Sequence, residues 1–176
     1  DTTDNGVVGI SNTNNLGYNA TFGNVTVSAQ YTNNGSGGNS DSGWSLQHSG
    51  AVEGLTVGFG MADDGTATDE ATAFVTYTVG GITVGYQRSD IDYAASTNDE
   101  ERNHVAASIA VNENLSLSYG RSEVDMGAGK VDEESSGVSA SYTMGSITVA
   151  AVSNATDNVS GASGTDDTYK ELSVAF

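Results

Sequence analysis

Hydrophobic and polar residues alternate in five segments of this 176-residue sequence. Each segment begins with a turn residue and continues with aliphatic residues that alternate with Thr or Ser, and most reach an aromatic residue at the sixth position. The segments are 24–31, 54–61, 81–88, 114–121 and 146–153. A period of two predicts a β-strand with one apolar face, and recurrence about every 30 residues indicates a repeated structural unit.

A second alternating run precedes each repeat and is joined to it by a short connection rich in Gly and Asn. Connections of this length and composition are typical of β-hairpins. A final run from Tyr169 to Phe176 places Leu172, Val174 and Phe176 on one face. We therefore predict eleven antiparallel strands within residues 15–176.

The connections between hairpins are long and hold most of the 23 acidic residues. They are predicted at 32–42, 62–71, 89–103, 122–136 and 154–167. Short neutral turns at one end and long acidic loops at the other are the layout of a membrane barrel, with periplasmic turns and external loops. The predicted fold class is an all-β, antiparallel transmembrane β-barrel, because a soluble sandwich has no reason to sort its charge in this way.

Alternation alone does not show which face of the strands meets water, because a soluble sheet turns its apolar face inward. The second face is rich in Gly, Ser, Thr, Gln and Asn, which suit a water-filled interior, so we assign the aliphatic face to lipid. The predicted pore-lining residues are Thr26, Ser28, Gln30, Thr56, Thr83, Gln87, Ser116, Ser118 and Thr148.

Aromatic residues recur at two levels of the predicted strands, as expected where lipid tails meet water. Arg88 and Arg121 follow two such residues and have three open interpretations. They could reach lipopolysaccharide phosphates from the lipid side, line the channel through a β-bulge, or be solvated at the rim. The predicted interfacial anchors are Tyr31, Phe59, Tyr86, Arg88, Tyr119, Arg121 and Phe176.

The net charge of −18 excludes a basic nucleic-acid-binding surface and predicts that a channel would attract cations. The absence of Cys excludes a disulfide framework, and the isolated His48 and His104 lack metal-ligand spacing. No catalytic constellation is visible, so we expect neither an enzyme nor a required cofactor. Acidic loops could hold Ca²⁺ or could simply be solvated. The candidate calcium ligands are Asp63, Asp64, Asp132, Glu133 and Glu134.

The alternating C-terminal residues Leu172, Val174 and Phe176 resemble the assembly signal of outer-membrane proteins. With the five hairpins, they make the chain similar to the C-terminal part of a sixteen-stranded alphaproteobacterial porin of the Rhodobacter type. The resemblance implies a homotrimer in the Gram-negative outer membrane, in contact with lipid and lipopolysaccharide. It also implies passive diffusion of small hydrophilic solutes and ions.

In that family the long third loop narrows the pore, and strand six follows it. The resemblance therefore implies strands six to sixteen here, with residues 1–14 as the tail of the constricting loop. Asp1 and Asp4 would lie near the narrowest point, and another fragment or an unseen N-terminal part would supply the missing strands. The alternative is a secreted or surface-anchored structural β-protein, such as an adhesin or a surface-layer module.

Overall fold

The computed structural model describes residues 15–33, 40–65 and 68–176. Within these ranges the chain forms one antiparallel sheet of eleven strands, in which each strand pairs with its sequence neighbours. Two single-turn 3₁₀ helices, Ser96–Asn98 and Val159–Gly161, lie in the connections. The strands are β1 Asn15–Phe22, β2 Val25–Thr32, β3 Asp41–Ser49, β4 Leu55–Asp63, β5 Thr68–Val79, β6 Ile82–Tyr93, β7 Glu100–Ala110, β8 Leu115–Asp125, β9 Glu133–Met144, β10 Ile147–Asp157 and β11 Asp167–Ala175.

The strand count and the hairpin order confirm the prediction from the alternating pattern. No helix in the part of the chain that the structure describes is long and apolar enough to span a membrane.

Glycine is required at the turn between β3 and β4. Gly54 has a positive φ of 79°, and a Cβ atom there would overlap the carbonyl oxygen of Thr78. The backbone oxygen of Gly54 also accepts a hydrogen bond of 2.9 Å from the Thr78 amide. The absence of a side chain therefore lets this turn lie directly against β5.

The strands run further toward the loop end than the hydrophobic pattern predicts. β6 continues to Tyr93 and β7 begins at Glu100, so the connection predicted at 89–103 shortens to 94–99. Backbone pairing continues through charged residues, because the hydrogen-bond ladder does not require apolar side chains. Of the carboxylates assigned to loops, most stand on strand ends, and only Asp64, Asp99, Asp132 and Asp166 lie between strands.

The two faces of the sheet have different chemistry. Val57, Val75, Tyr86 and Val105 lie directly opposite one another across four strands, and we call their side of the sheet the aliphatic face. The other side, the hydroxyl face, carries the alternate residues, of which Thr83 is one. The members of the hydroxyl face include Thr56, Thr76, Ser108, Ser118, Ser139, Ser141 and Thr148.

No second protein layer covers the aliphatic face among the described residues. Most of its large side chains are exposed, and within the described ranges only two hydrophobic residues are buried, Ile91 and Val124. Both of those lie on the hydroxyl face. Because a continuous apolar surface of this size is not left in water by a soluble protein, the aliphatic face is the side suited to hydrocarbon.

Candidate channel lining and charged strand ends

All nine residues predicted to line a pore lie on the hydroxyl face. Cross-strand hydrogen bonds join many of them to a hydroxyl on the next strand, so these small polar groups are already paired. The pairs include Thr21–Thr26 at 3.1 Å, Thr78–Thr83 at 2.9 Å, Ser118–Ser139 at 2.7 Å and Thr143–Thr148 at 3.0 Å. Paired hydroxyls keep further hydrogen-bonding capacity for water, which suits this face to contact with water.

A row of small residues leaves space along the hydroxyl face. Gly85, Ala106, Gly120 and Gly137 lie opposite one another across β6, β7, β8 and β9. A cavity of about 800 Å³ lies against this part of the sheet. The side chains of the hydroxyl face are thus short at this level, and hydroxyl groups border the row on either side.

Arg102 is a residue of this face that sequence reasoning missed. The hydrophobic pattern places it in the loop 89–103, but it stands on β7 opposite Ser89 and Val124. Its Nη2 lies 2.6 Å from Oε2 of Glu100, in a pair whose side chains are only 29% and 15% exposed. The alternation of the strand could have located it, because Arg102 lies four residues before Ala106 of the hydroxyl face, and an even separation along a strand keeps two residues on the same face.

The surroundings of Arg102 are the most densely packed part of the hydroxyl face. The side chains buried there belong to Glu70, Gln87, Ser89, Ile91 and Val124. The Nε atom of Arg102 and the Nε2 atom of His104 are buried without a hydrogen-bond partner. This end of the face therefore combines tight packing with a fixed positive group.

The predicted aromatic anchors lie on the aliphatic face. Tyr31, Phe59, Tyr86 and Tyr119 are between 40% and 48% exposed and stand toward the loop end of their strands. Phe176 follows β11 at the turn end and is also exposed. Trp44 packs edge-on against Phe59, with ring centroids 5.5 Å apart.

Arg88 and Arg121 also lie on the aliphatic face, because the strand register runs through both positions without a bulge. The structure therefore excludes the β-bulge that would point their side chains into the interior of a barrel. Arg88 binds Asp90 at 3.0 Å and Glu101 at 2.6 Å. Arg121 binds Glu134 at 2.7 Å and approaches Glu123 at 3.7 Å.

These arginines stand among carboxylates that face one another across the strands. The opposed sets on the aliphatic side are Asp63–Asp69–Asp92, Asp90–Glu101–Asp125 and Glu123–Glu134–Asp157. Like charges directly opposite destabilise a strand pair. Each arginine therefore offsets repulsion between carboxylates at the loop end.

The candidate calcium ligands do not form one group. Asp63 and Asp64 accept backbone N–H groups of their own turn, while Glu133 accepts the Ser160 amide at 2.7 Å. Glu134 points to the opposite face, toward Arg121. In residues 15–33, 40–65 and 68–176 no three metal-binding side chains converge, so calcium binding stays a prediction. Asp1 and Asp4, assigned to the constricting loop, lie outside the described residues.

An uncovered aliphatic face, aromatic residues toward both strand ends and a hydroxyl-rich opposite face define a sheet of the outer-membrane β-barrel class. The chain belongs to the Gram-negative porin family, whose profile matches residues 1–176. Membership places it in the outer membrane of a Gram-negative bacterium. The alternative of an adhesin or surface-layer module is not supported.

Solved outer-membrane proteins share the fold at low sequence identity. A triple mutant of Rh. blastica porin is 16% identical with a TM-score of 0.68, and the match covers 92% of this chain and 54% of that one. In-vitro folded OmpT of Vibrio cholerae is 16% identical with a TM-score of 0.64, over 91% of this chain and 60% of that one. A loop-deletion mutant of OmpT is 17% identical with a TM-score of 0.66, and the match covers 92% of this chain and 62% of that one. No curated protein matches the sequence significantly. The chain thus spans 54% to 62% of the length of these structures.

Proposed function

We propose that the chain forms part of the wall of a water-filled channel through which small hydrophilic solutes and ions cross the outer membrane by passive diffusion. The hydroxyl face would line the channel, and the aliphatic face would contact lipid. The observation that carries this proposal is the pairing of an uncovered apolar surface with an opposite face of small, mutually hydrogen-bonded polar groups. Selection would then depend on pore width and electric field, with no chemical step.

The test is conductance in a planar lipid bilayer, with the porin that contains this chain purified from outer membranes. Stepwise increases in current are expected, together with swelling of liposomes in small sugars and none in large oligosaccharides. A folded, membrane-inserted protein that conducts no ions would contradict the proposal. Migration on a denaturing gel before and after boiling reports whether the inserted protein is folded.

We also propose that the eleven strands correspond to strands six to sixteen of a sixteen-stranded barrel. The support is that, among the strands of the described residues, β1 and β11 each have a partner on one side only, and an unpaired backbone edge in hydrocarbon costs several kcal/mol per group. Further strands would cover these edges, and residues 1–14, with Asp1 and Asp4, would be the tail of the constricting loop. The expected assembly is a homotrimer in contact with lipopolysaccharide.

Cysteines at the two edges test this assignment. In Tyr18→Cys combined with Val174→Cys, one cysteine lies on β1 and the other on β11. No disulfide is expected between them, and the folded barrel should have a mass well above the 17.9 kDa of this chain. A disulfide-closed barrel of this chain alone would refute the assignment. Chemical crosslinking of the folded porin tests the trimer.

The acidic composition supports a preference for cations, which is the last part of the proposal. The net charge is −18, and carboxylates are concentrated at the loop ends of the strands. Negative charge at a channel mouth raises the local cation concentration. The reversal potential in a salt gradient measures this preference, and clear anion selectivity would contradict it.

A further inference from the structure

The positive charges of the chain are distributed unequally between the two faces. The chain has five Lys and Arg residues, and all five lie in the described ranges. Arg88, Arg121 and Lys170 stand on the aliphatic face, and Lys130 lies in the connection between β8 and β9. Arg102 is thus the single Lys or Arg on the hydroxyl face of these residues.

The position of Arg102 is fixed by its neighbours. Glu100 holds its guanidinium at 2.6 Å, and Ser89, opposite on β6, is only 1% exposed. Val124, opposite on β8, is also buried. A guanidinium held between packed side chains keeps its charge on this face, whereas a long side chain in open solvent would sample many positions.

Three carboxylates share this end of the hydroxyl face with the guanidinium. Glu133 lies in the same cross-strand row as Arg102, beyond Val124, and Glu70 lies in the row of Glu100, beyond Ile91. Arg102 is therefore the positive member of a group that otherwise contains Glu70, Glu100 and Glu133. Loss of its charge would leave this part of the face purely acidic.

We propose that Arg102, positioned by Glu100, is a specificity-determining residue that moderates the cation preference of the channel. This inference rests on the proposed channel function. The guanidinium repels passing cations and attracts anions at the one place on the described wall where a positive group faces the water-filled side. Glu100 acts through Arg102 by holding it in place and by offsetting its charge.

The size of the effect follows from distance and screening. An ion that passes about 8 Å from one unit charge in 0.15 M salt is about one Debye length away, and the interaction with water as the medium is weak. Removal of the charge favours the cation and disfavours the anion together. The expected change in the ratio of K⁺ to Cl⁻ permeability is about twofold.

The test compares Arg102→Gln with Arg88→Gln in the intact porin. The two arginines stand near the same end of neighbouring strands but on opposite faces, so both variants remove the same charge from the protein. We expect the reversal potential in a KCl gradient to show an increase of about twofold in the permeability ratio for Arg102→Gln and no change for Arg88→Gln. Glu100→Gln should shift the ratio in the opposite direction.

One further variant and two outcomes decide the inference. Arg102→Lys keeps the charge and should keep the wild-type ratio, whether or not Arg102→Gln folds. An equal shift from Arg88→Gln and Arg102→Gln would show that only the total charge matters, and would overturn the proposal. An unchanged ratio in a conducting Arg102→Gln channel would overturn it as well. A wild-type porin without conductance would instead refute the proposed function itself.

Discussion

A lysine placed at Val84 tests the assignment of the two faces most directly. Val84 is the middle one of three apolar side chains that β6 presents on the aliphatic face, between Ile82 and Tyr86. It is 46% exposed and lies opposite Tyr77 and Ala107. Because none of the residues that the structure describes covers this position, Val84→Lys would place an ammonium group in hydrocarbon.

The expected cost follows from the depth of this position in the bilayer. A lysine near the midplane on the lipid face of a β-barrel costs about 2–4 kcal/mol. Since 1.4 kcal/mol corresponds to a factor of ten, the equilibrium constant for unfolding should rise by about 30- to 700-fold. The matched control is Thr83→Lys at the adjacent residue, which points to the hydroxyl face, where water solvates the ammonium. We expect its cost to be within about 1 kcal/mol.

The assay is urea unfolding of the porin in phospholipid vesicles. The folded fraction is read from the gel migration of unboiled samples, with the wild type, Val84→Lys and Thr83→Lys in parallel. Equal and small costs for the two variants would show that both faces are wet. A larger cost for Thr83→Lys would mean that the faces are assigned in reverse, and either result refutes the reasoning.

Three other predictions concern the turn, the aromatic residues and the ion pairs. Gly54→Ala should destabilise the folded porin far more than Gly80→Ala in the same urea assay, because only Gly54 lies against a backbone oxygen although both have a positive φ. In a porin whose other strands carry no tryptophan, the fluorescence of Trp44, the sole tryptophan of these 176 residues, should be quenched by brominated lipid chains and little by acrylamide, because it lies on the aliphatic face. Arg121→Gln should cost at most about 1 kcal/mol of unfolding free energy, because the pair is half exposed, and a second change of Glu134→Gln should recover part of the loss.

The sequence predicts the strands well because side chains of a strand alternate between two faces. The alternation of Thr83 with Val84 is enough to assign each to a face, and the register bears this out. The same rule accounts for the calcium ligands that do not meet. Glu133 and Glu134 are adjacent on one strand, so their carboxylates point to opposite sides of the sheet.

Strand ends were predicted less well than strand interiors. The sequence predicts Asp90 and Glu101 to be loop residues, because charged residues usually mark a connection between strands. In the structure they pair with each other across β6 and β7. For this reason Arg102 was not recognised as a residue of the hydroxyl face. Its pairing with Glu100 depends on the orientation of two side chains, which alternation alone does not give.

The nearest-neighbour order of the strands has a consequence for assembly. Every described pair joins segments adjacent in sequence, so each hairpin can form by closing a short loop, and ten pairings need no distant contact. The contacts at the free sides of β1 and β11 are the distant ones, and we expect them to form last. Until then the partly formed sheet exposes two unpaired strand edges and its aliphatic face. An intermediate of this kind aggregates in water, so its passage to the membrane calls for a holding chaperone.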